Sequence, residues 1–365
     1  MISSFMAMFL QALAVKCGLV TARDLPQACR DSYPQWLNYL LWFIAEIAIL
    51  ATDVAEVLGS AIALRLLFGI PLIAGCCVTA LDVILLLMLH GKNFRILECF
   101  VGLLVLVIAV CYAVELGISN PDPIPLLTGF LPSQELFADK GMLLIAVGIM
   151  GATVMPHNLY LHSSIIQTRA TERDSASIRQ AIKYSVIDST FCLSIAWFVN
   201  SAILIVAGAA FHANGLNDVA NLDDASHLLD PIMGSAAASK LFGIALLASG
   251  QNSTITGTLT GQIVMEGFCH WKISPFYRRM LTRLIAIVPA VAFVAVGGSA
   301  AANNLLIYSQ VVLSFALPFA VFPLVHITSS KARMGQHVNS WSTHVIACSL
   351  GVLIVVLNVL LVIPF

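Results

Sequence analysis

Ten stretches of this chain are apolar over distances comparable to a membrane crossing, which leaves the polypeptide few ways to fold. They lie near 1–15, 36–64, 68–89, 96–117, 141–167, 184–209, 238–263, 280–298, 304–327 and 342–364, and ~20 residues of α-helix span ~30 Å of hydrocarbon. Lipid supplies no water to backbone amides and carbonyls, so repeated segments of this length specify helices, which satisfy their own backbone. Of the 365 residues, 59% are hydrophobic and 10% charged, which excludes a soluble domain. The expectation is an all-α polytopic membrane protein with one transmembrane domain over 1–365. Nine Cys, scattered singly apart from Cys76-Cys77, show no zinc or disulfide spacing and read as packing residues. The 18 Lys and Arg form no patch suited to nucleic acid.

Basic residues alternate between loops. Lys16, Arg23 and Arg30; Lys92 and Arg95; Arg169, Arg173, Arg179 and Lys183; Lys272, Arg278 and Arg279; and Lys331 and Arg333 fall in one set, whereas the other holds only Arg65, Lys140 and Lys240. The first set is therefore cytoplasmic, with both ends of the chain outside. The first segment reads as too short to span, about 15 residues or ~22 Å, and no charged n-region marks a cleavable signal peptide. These features predict that N-terminal sequence is missing.

One segment carries a break. Within 143–167 stands Met155-Pro156-His157-Asn158. Pro156 has no amide to bond the Ala152 carbonyl four residues back, and a helix interrupted at membrane depth lines a cavity. A thioether, an imidazole and a freed carbonyl would meet there. The Met155 thioether is soft and favours Mn, Fe, Co or Cd over Ca and Mg, which prefer oxygen sites, although an isolated Met is ordinarily packing. His157 and His162 lie about 140° apart on a helix and would not chelate one ion together. His157 is better suited to proton transfer.

Ionisable residues inside spanning segments are costly and mark function. Glu46, Asp53 and Glu56 share one face of the second segment, within about 80°, either lining a proton path or pairing with an Arg from another helix. Arg283 either snorkels to the surface or pairs with one of those acids. Gln251, Thr254, Thr258 and Gln262 form a polar stripe beside Gly257-x-x-x-Gly261, which allows close helix approach. Gln310 stands alone in an apolar helix, where a packing hydrogen bond is the simpler role. Asp82, Glu115 and Asp188 are left unassigned. In the outer loops 118–140 and 210–237, His212 and His227 with Asp218, Asp223, Asp224 and Asp230 read as solvated residues.

Three motifs together resemble the Nramp family, in particular its bacterial proton-coupled manganese transporters: Gly151-Ala-Thr-Val-Met-Pro-His-Asn-Leu-Tyr-Leu-His162, Ala51-Thr-Asp-Val-Ala-Glu-Val-Leu-Gly-Ser-Ala-Ile-Ala-Leu64 and Gly250-Gln-Asn-Ser-Thr-Ile-Thr-Gly-Thr-Leu-Thr-Gly-Gln-Ile-Val-Met-Glu-Gly267. The resemblance covers nearly the whole chain. It implies a LeuT-like bundle of inverted repeats with a broken central helix, a midplane ion site and alternating access. By the same resemblance Met155, the Ala152 carbonyl and Gln310 bind the metal. Asp53, Glu56 and His157 carry protons, and Arg283 is placed with them. The family's first-helix Asp-Pro-Gly-Asn motif has no counterpart, since Asn120-Pro-Asp-Pro123 lies in an outer loop. Phe5 to Leu13 resemble the later part of the family's second helix, so the first helix is expected to be absent.

The function implied is uptake of Mn(II), and of Fe(II), across the bacterial inner membrane with proton co-transport, without a cofactor and without enzymatic activity. Three alternatives stand beside it. A truncated, non-transporting remnant would also lack half of the ion site. An organic-substrate transporter of the same fold would have no need of Met155. An intramembrane metalloenzyme would need more strong ligands.

Overall fold

The computed structural model describes residues 2–81, 94–119, 129, 139–168, 174–211, 225, 228 and 238–363. Asp82, the outer-loop His212 and His227 with their acids, and Asn120-Pro-Asp-Pro123 fall outside the described residues. Among the described residues every regular element is helical: α1 (Ile2–Thr21), α2 (Leu25–Arg30), α3 (Gln35–Phe68), α4 (Leu72–Val78), α5 (Phe94–Ser119), α6 (Lys140–Val154), α7 (Pro156–Ile165), α8 (Ser175–Ala210), α9 (Ala238–Cys269), α10 (Pro275–Ala316), α11 (Pro318–Thr328), α12 (Lys331–Met334) and α13 (Trp341–Val362).

Among the described residues, seven helical runs are long and apolar enough to cross a membrane. One of them, Phe276–Thr328, has 53 residues and is two helices, because Gly298 inside α10 adopts φ 62° and ψ −146°, a backbone that costs only glycine nothing. The polar stripe keeps α9 out of the seven, and only Leu72–Leu81 of the third predicted segment is described as helix. With these included, the helices follow the ten segments read from sequence.

The first segment differs from expectation. It continues through Lys16 to Thr21 and has 20 residues, about 30 Å, a spanning length. Lys16 does not end the helix, because its ammonium group reaches Asn339 Oδ1 at 2.9 Å. A polar partner in the loop before α13 lets a half-buried lysine remain helical.

Helix ends follow local chemistry. Asp24 caps α2, its carboxylate accepting from the Gln27 amide at 2.8 Å, and Asp174 caps α8 by accepting from Ala176 and Ser177. Gly69, at φ 69°, closes α3 by donating to the Arg65 carbonyl. The 34 residues of α3 reach about 51 Å, so the helix tilts or projects beyond the bilayer.

Two large apolar clusters, with smaller ones beside them, hold the described part of the bundle. The larger surrounds the break between α6 and α7, with Leu10, Leu13, Met150, Val154, Leu159, Leu317 and Leu324 buried together. The second joins α3, α4 and α10 through Val57, Leu58, Cys76 and Ala286. Glycines set the closest approaches: a Cβ on Gly18 would strike the Ser163 carbonyl, and one on Gly151 the Gln310 carbonyl and the Ser314 amide.

Most of the basic loops gather at one end. Arg30 donates to the Glu266 and Gly267 carbonyls, Arg333 to the Ala28 and Asp31 carbonyls at 3.2 and 3.3 Å, and Tyr33 meets His326 Nδ1 at 2.7 Å. Contacts among α2, α9, α11 and α12 thus place loops assigned to the cytoplasmic set on the same face. Burial here pushes the Asp24 carboxyl up to about 6, against the Gln27 amide and the charges of Arg30 and Arg23.

Two predictions follow from packing and from this carboxyl. Gly151→Ala should destabilise the protein by about 1–3 kcal/mol, because the new methyl meets backbone that cannot rotate away, whereas Gly102→Ala in α5, with open space around it, should be neutral or stabilising; thermal unfolding in detergent compares them. Asp24 titrates near 3.9 when unfolded and near 6 when folded, so the folded state holds this proton more tightly. Its contribution is favourable as pH falls from 6 toward 4 and is lost as pH rises through 6, a swing of up to about 3 kcal/mol. The difference in melting temperature between Asp24→Asn and the parent should therefore change between about pH 4.5 and about pH 7.5; a constant difference contradicts the assignment.

Candidate functional site

The predicted break is present and lies at Met155. α6 ends at Val154, α7 begins at Pro156, and Met155 between them has φ 44° and ψ 105°, a conformation unusual for a residue with a Cβ. The Met155 amide still reaches the Gly151 carbonyl at 3.1 Å, and its carbonyl accepts from the Asn158 amide at 3.1 Å. Pro156 has no amide to give Ala152, as read from sequence. Asn158 Nδ2 donates to the Met155 sulfur at 3.3 Å.

Gln310 joins this place through glycine. The carbonyl and Cβ of Gln310 face Gly151 and Gly148 on the last turns of α6, so α10 crosses α6 one turn before the break. Gln310, Ala152 and Met155 are each partly exposed, and the Gln310 side chain donates to Ser309 Oγ at 3.1 Å. Among the described residues no cluster of three or more His, Cys, Asp or Glu is arranged around a metal. The break itself presents the Met155 thioether and backbone carbonyls, and Gln310 lies alongside the preceding turns of α6.

A buried charged cluster lies on α3. Asp53 and Glu56 are 0% and 4% exposed, and both pair with Arg279, the Glu56 contact at 2.8 Å. Arg283 adds a 3.4 Å contact to Glu56 and donates to the Thr79 carbonyl. Ser253 and Thr254 of α9 donate to the two Glu56 oxygens at 2.7 and 3.0 Å. About two turns before Asp53 on α3, Arg278 holds both oxygens of Glu46 at 2.9 and 2.8 Å, and Trp42 Nε1 donates to the same carboxylate.

Of the two roles open to Arg283, pairing is the one observed. Arg278 and Arg279 are a correction: assigned to a basic loop, they lie in the first turns of α10 and are 7% and 2% exposed. The acids on α3 draw them inward, since the buried Asp53 and Glu56 and the partly buried Glu46 need counter-charges. The signal available in sequence was Arg279 and Arg283 at i, i+4, one face of a helix opposite the predicted acidic face.

Gly257 and Gly261 also do more than let helices approach. A Cβ on Gly257 would lie 3.3 Å from Glu56 Oε1, and one on Gly261 would overlap the Arg278 guanidinium. They make room for the ion pairs. Within the polar stripe Thr254 reaches Glu56, while Thr258 bonds back to the Thr254 carbonyl and Gln262 to Glu266.

His157 links the two regions. It is 2% exposed in the first turn of α7, which packs against α3, and its Nδ1 has no hydrogen-bond partner. Asp53 Oδ2 is likewise buried without a partner. Glu115 stands apart in α5, buried with both oxygens unpaired, one turn from Cys111 and Tyr112.

Comparison with known proteins places this architecture. The chain is 53% identical over 361 residues to a protein of Listeria innocua named "Divalent metal cation transporter MntH", covering 99% of this chain and 81% of that one. A protein of Bradyrhizobium diazoefficiens with the same name is 53% identical over 358 residues, covering 98% and 80%. A crystal structure of the Eremococcus coleocola manganese transporter, in complex with an aromatic bis-isothiourea substituted compound, superposes with a TM-score of 0.89 at 40% identity, covering 99% of this chain and 77% of that one. The fold is thus the LeuT-like helical bundle, as the motifs implied, in a multi-pass membrane protein. Residues 1–364 match the family described as "Natural resistance-associated macrophage protein-like", and the chain belongs to the Nramp family of membrane transporters.

Proposed function

We propose that the protein carries divalent transition metal ions, Mn(II) and also Fe(II), by alternating access across the bacterial inner membrane, with proton co-transport. The observation that carries this reading is the helix break at Met155-Pro156, one turn beyond the crossing of α6 with the Gln310 region of α10, in a chain whose relatives are named for divalent metal cation transport. Met155 would supply a soft sulfur, Ala152 a carbonyl oxygen and Gln310 an amide oxygen. That donor set suits a partly dehydrated transition metal better than Ca(II) or Mg(II), which prefer oxygen throughout.

The cluster on α3 supports proton coupling. Buried ion pairs seldom stabilise more than the apolar packing they replace, so their presence calls for another role. Asp53 has one oxygen engaged by Arg279 and the other without a partner. That oxygen and His157 Nδ1 are places where a proton can be held between the break and the carboxylates. Arg279 and Arg283 would compensate the charge of Glu56 as Asp53 changes protonation.

In proteoliposomes holding this chain, an inward proton gradient should drive Mn(II) uptake. Met155→Ala should raise the KM for Mn(II) on the order of tenfold, the equivalent of ~1.4 kcal/mol, and weaken discrimination against Ca(II). Uptake and selectivity unchanged by that substitution would remove Met155 from the ion site. Asp53→Asn cannot release a proton from this position, so uptake by that variant should lose its rise on external acidification; an intact pH profile would move the proton path elsewhere.

A further inference from the structure

The thioether at the break is not held by packing alone. Met155 is the N-cap residue of α7 and makes no side-chain cap of its own; a thioether is a weak acceptor and no donor. The third helical residue, Asn158, meets it twice: its backbone amide donates to the Met155 carbonyl at 3.1 Å, and its carboxamide donates to the Met155 sulfur at 3.3 Å. This resembles a capping box in which the residue at N3 reaches back to the N-cap, with a sulfur in place of the usual group. Only the NH2 end of the carboxamide can face sulfur favourably, because the oxygen end would meet lone pairs.

We propose that Asn158 is a positioning residue for the Met155 thioether and thereby sets the preference of the site for soft cations. The inference rests on the reading of Met155 as a metal ligand. Methionine has three rotatable bonds and an unbranched side chain, so a sulfur at a partly open break samples several directions unless it is tethered. Divalent sulfur carries two lone pairs. The Asn158 N–H occupies one and leaves the other for a cation, with the backbone already fixed at φ 44° by the Gly151 and Asn158 hydrogen bonds. Losing the tether should therefore cost most for the cation that depends most on sulfur. Cd(II) is softer than Mn(II) and reports this difference.

Calorimetric titration of Cd(II) and of Mn(II) into the purified 365-residue chain tests this. Asn158→Leu, similar in size but without a donor, should weaken Cd(II) binding about fivefold, the share of one ordinary hydrogen bond, and Mn(II) binding less. Asn158→Ala, which creates no bulk, should behave alike and serves if the leucine variant does not fold. In a Met155→Ala background neither substitution should weaken Cd(II) further. Equal losses for both metals, no loss in either variant, or losses that add in full to that of Met155→Ala would each overturn the positioning role while leaving Met155 as a ligand. Cd(II) binding that is absent from the parent chain, or unaffected by Met155→Ala, would instead overturn the ligand reading, and this proposal with it.

Discussion

Carboxylates on α3 and guanidinium groups on α10 must meet inside a bundle that sits in lipid, and much of the arrangement is organised by that requirement. Glu46, Asp53 and Glu56 occupy one face of α3, and Arg278, Arg279 and Arg283 reach them from α10. Removing one partner from such a pair leaves an uncompensated buried charge, at a cost of about 3–5 kcal/mol. The register between α3 and α10 is therefore tightly constrained. α9 is held to the same place, since Ser253 and Thr254 complete the coordination of Glu56 and Gly257 and Gly261 leave space for the charges.

Against this fixed side stands the interrupted helix. α6 and α7 are joined by a single residue in a strained conformation, and α6 packs on α10 through glycines at 148 and 151. The two regions adjoin where α7, with the buried His157 in its first turn, packs against α3.

How far the sequence could be read depended on whether the signal was local. The break at Met155-Pro156 was legible because proline acts within one turn, and the acidic face of α3 because helical spacing alone puts Glu46, Asp53 and Glu56 together. Gln310 was legible only as a lone amide; its place beside Gly151 depends on a crossing between α6 and α10 that no local pattern encodes. Arg278 and Arg279 were hidden because the rule that assigns basic residues to cytoplasmic loops does not distinguish a solvated arginine from one that turns inward to meet an acid more than 200 residues away. Lys16 misled in the same way, marking a helix end that Asn339 makes unnecessary. Small residues at 257 and 261 carried a signal for close contact, but not for what would fill the space.

The proposed ion site turns on one atom, the sulfur of Met155. X-ray absorption spectroscopy of the protein loaded with one equivalent of Cd(II) reads the ligand types around the ion directly. A single sulfur neighbour among oxygen ligands, absent from Met155→Ala, is the predicted result. A first shell of oxygen and nitrogen only in the parent protein would contradict it.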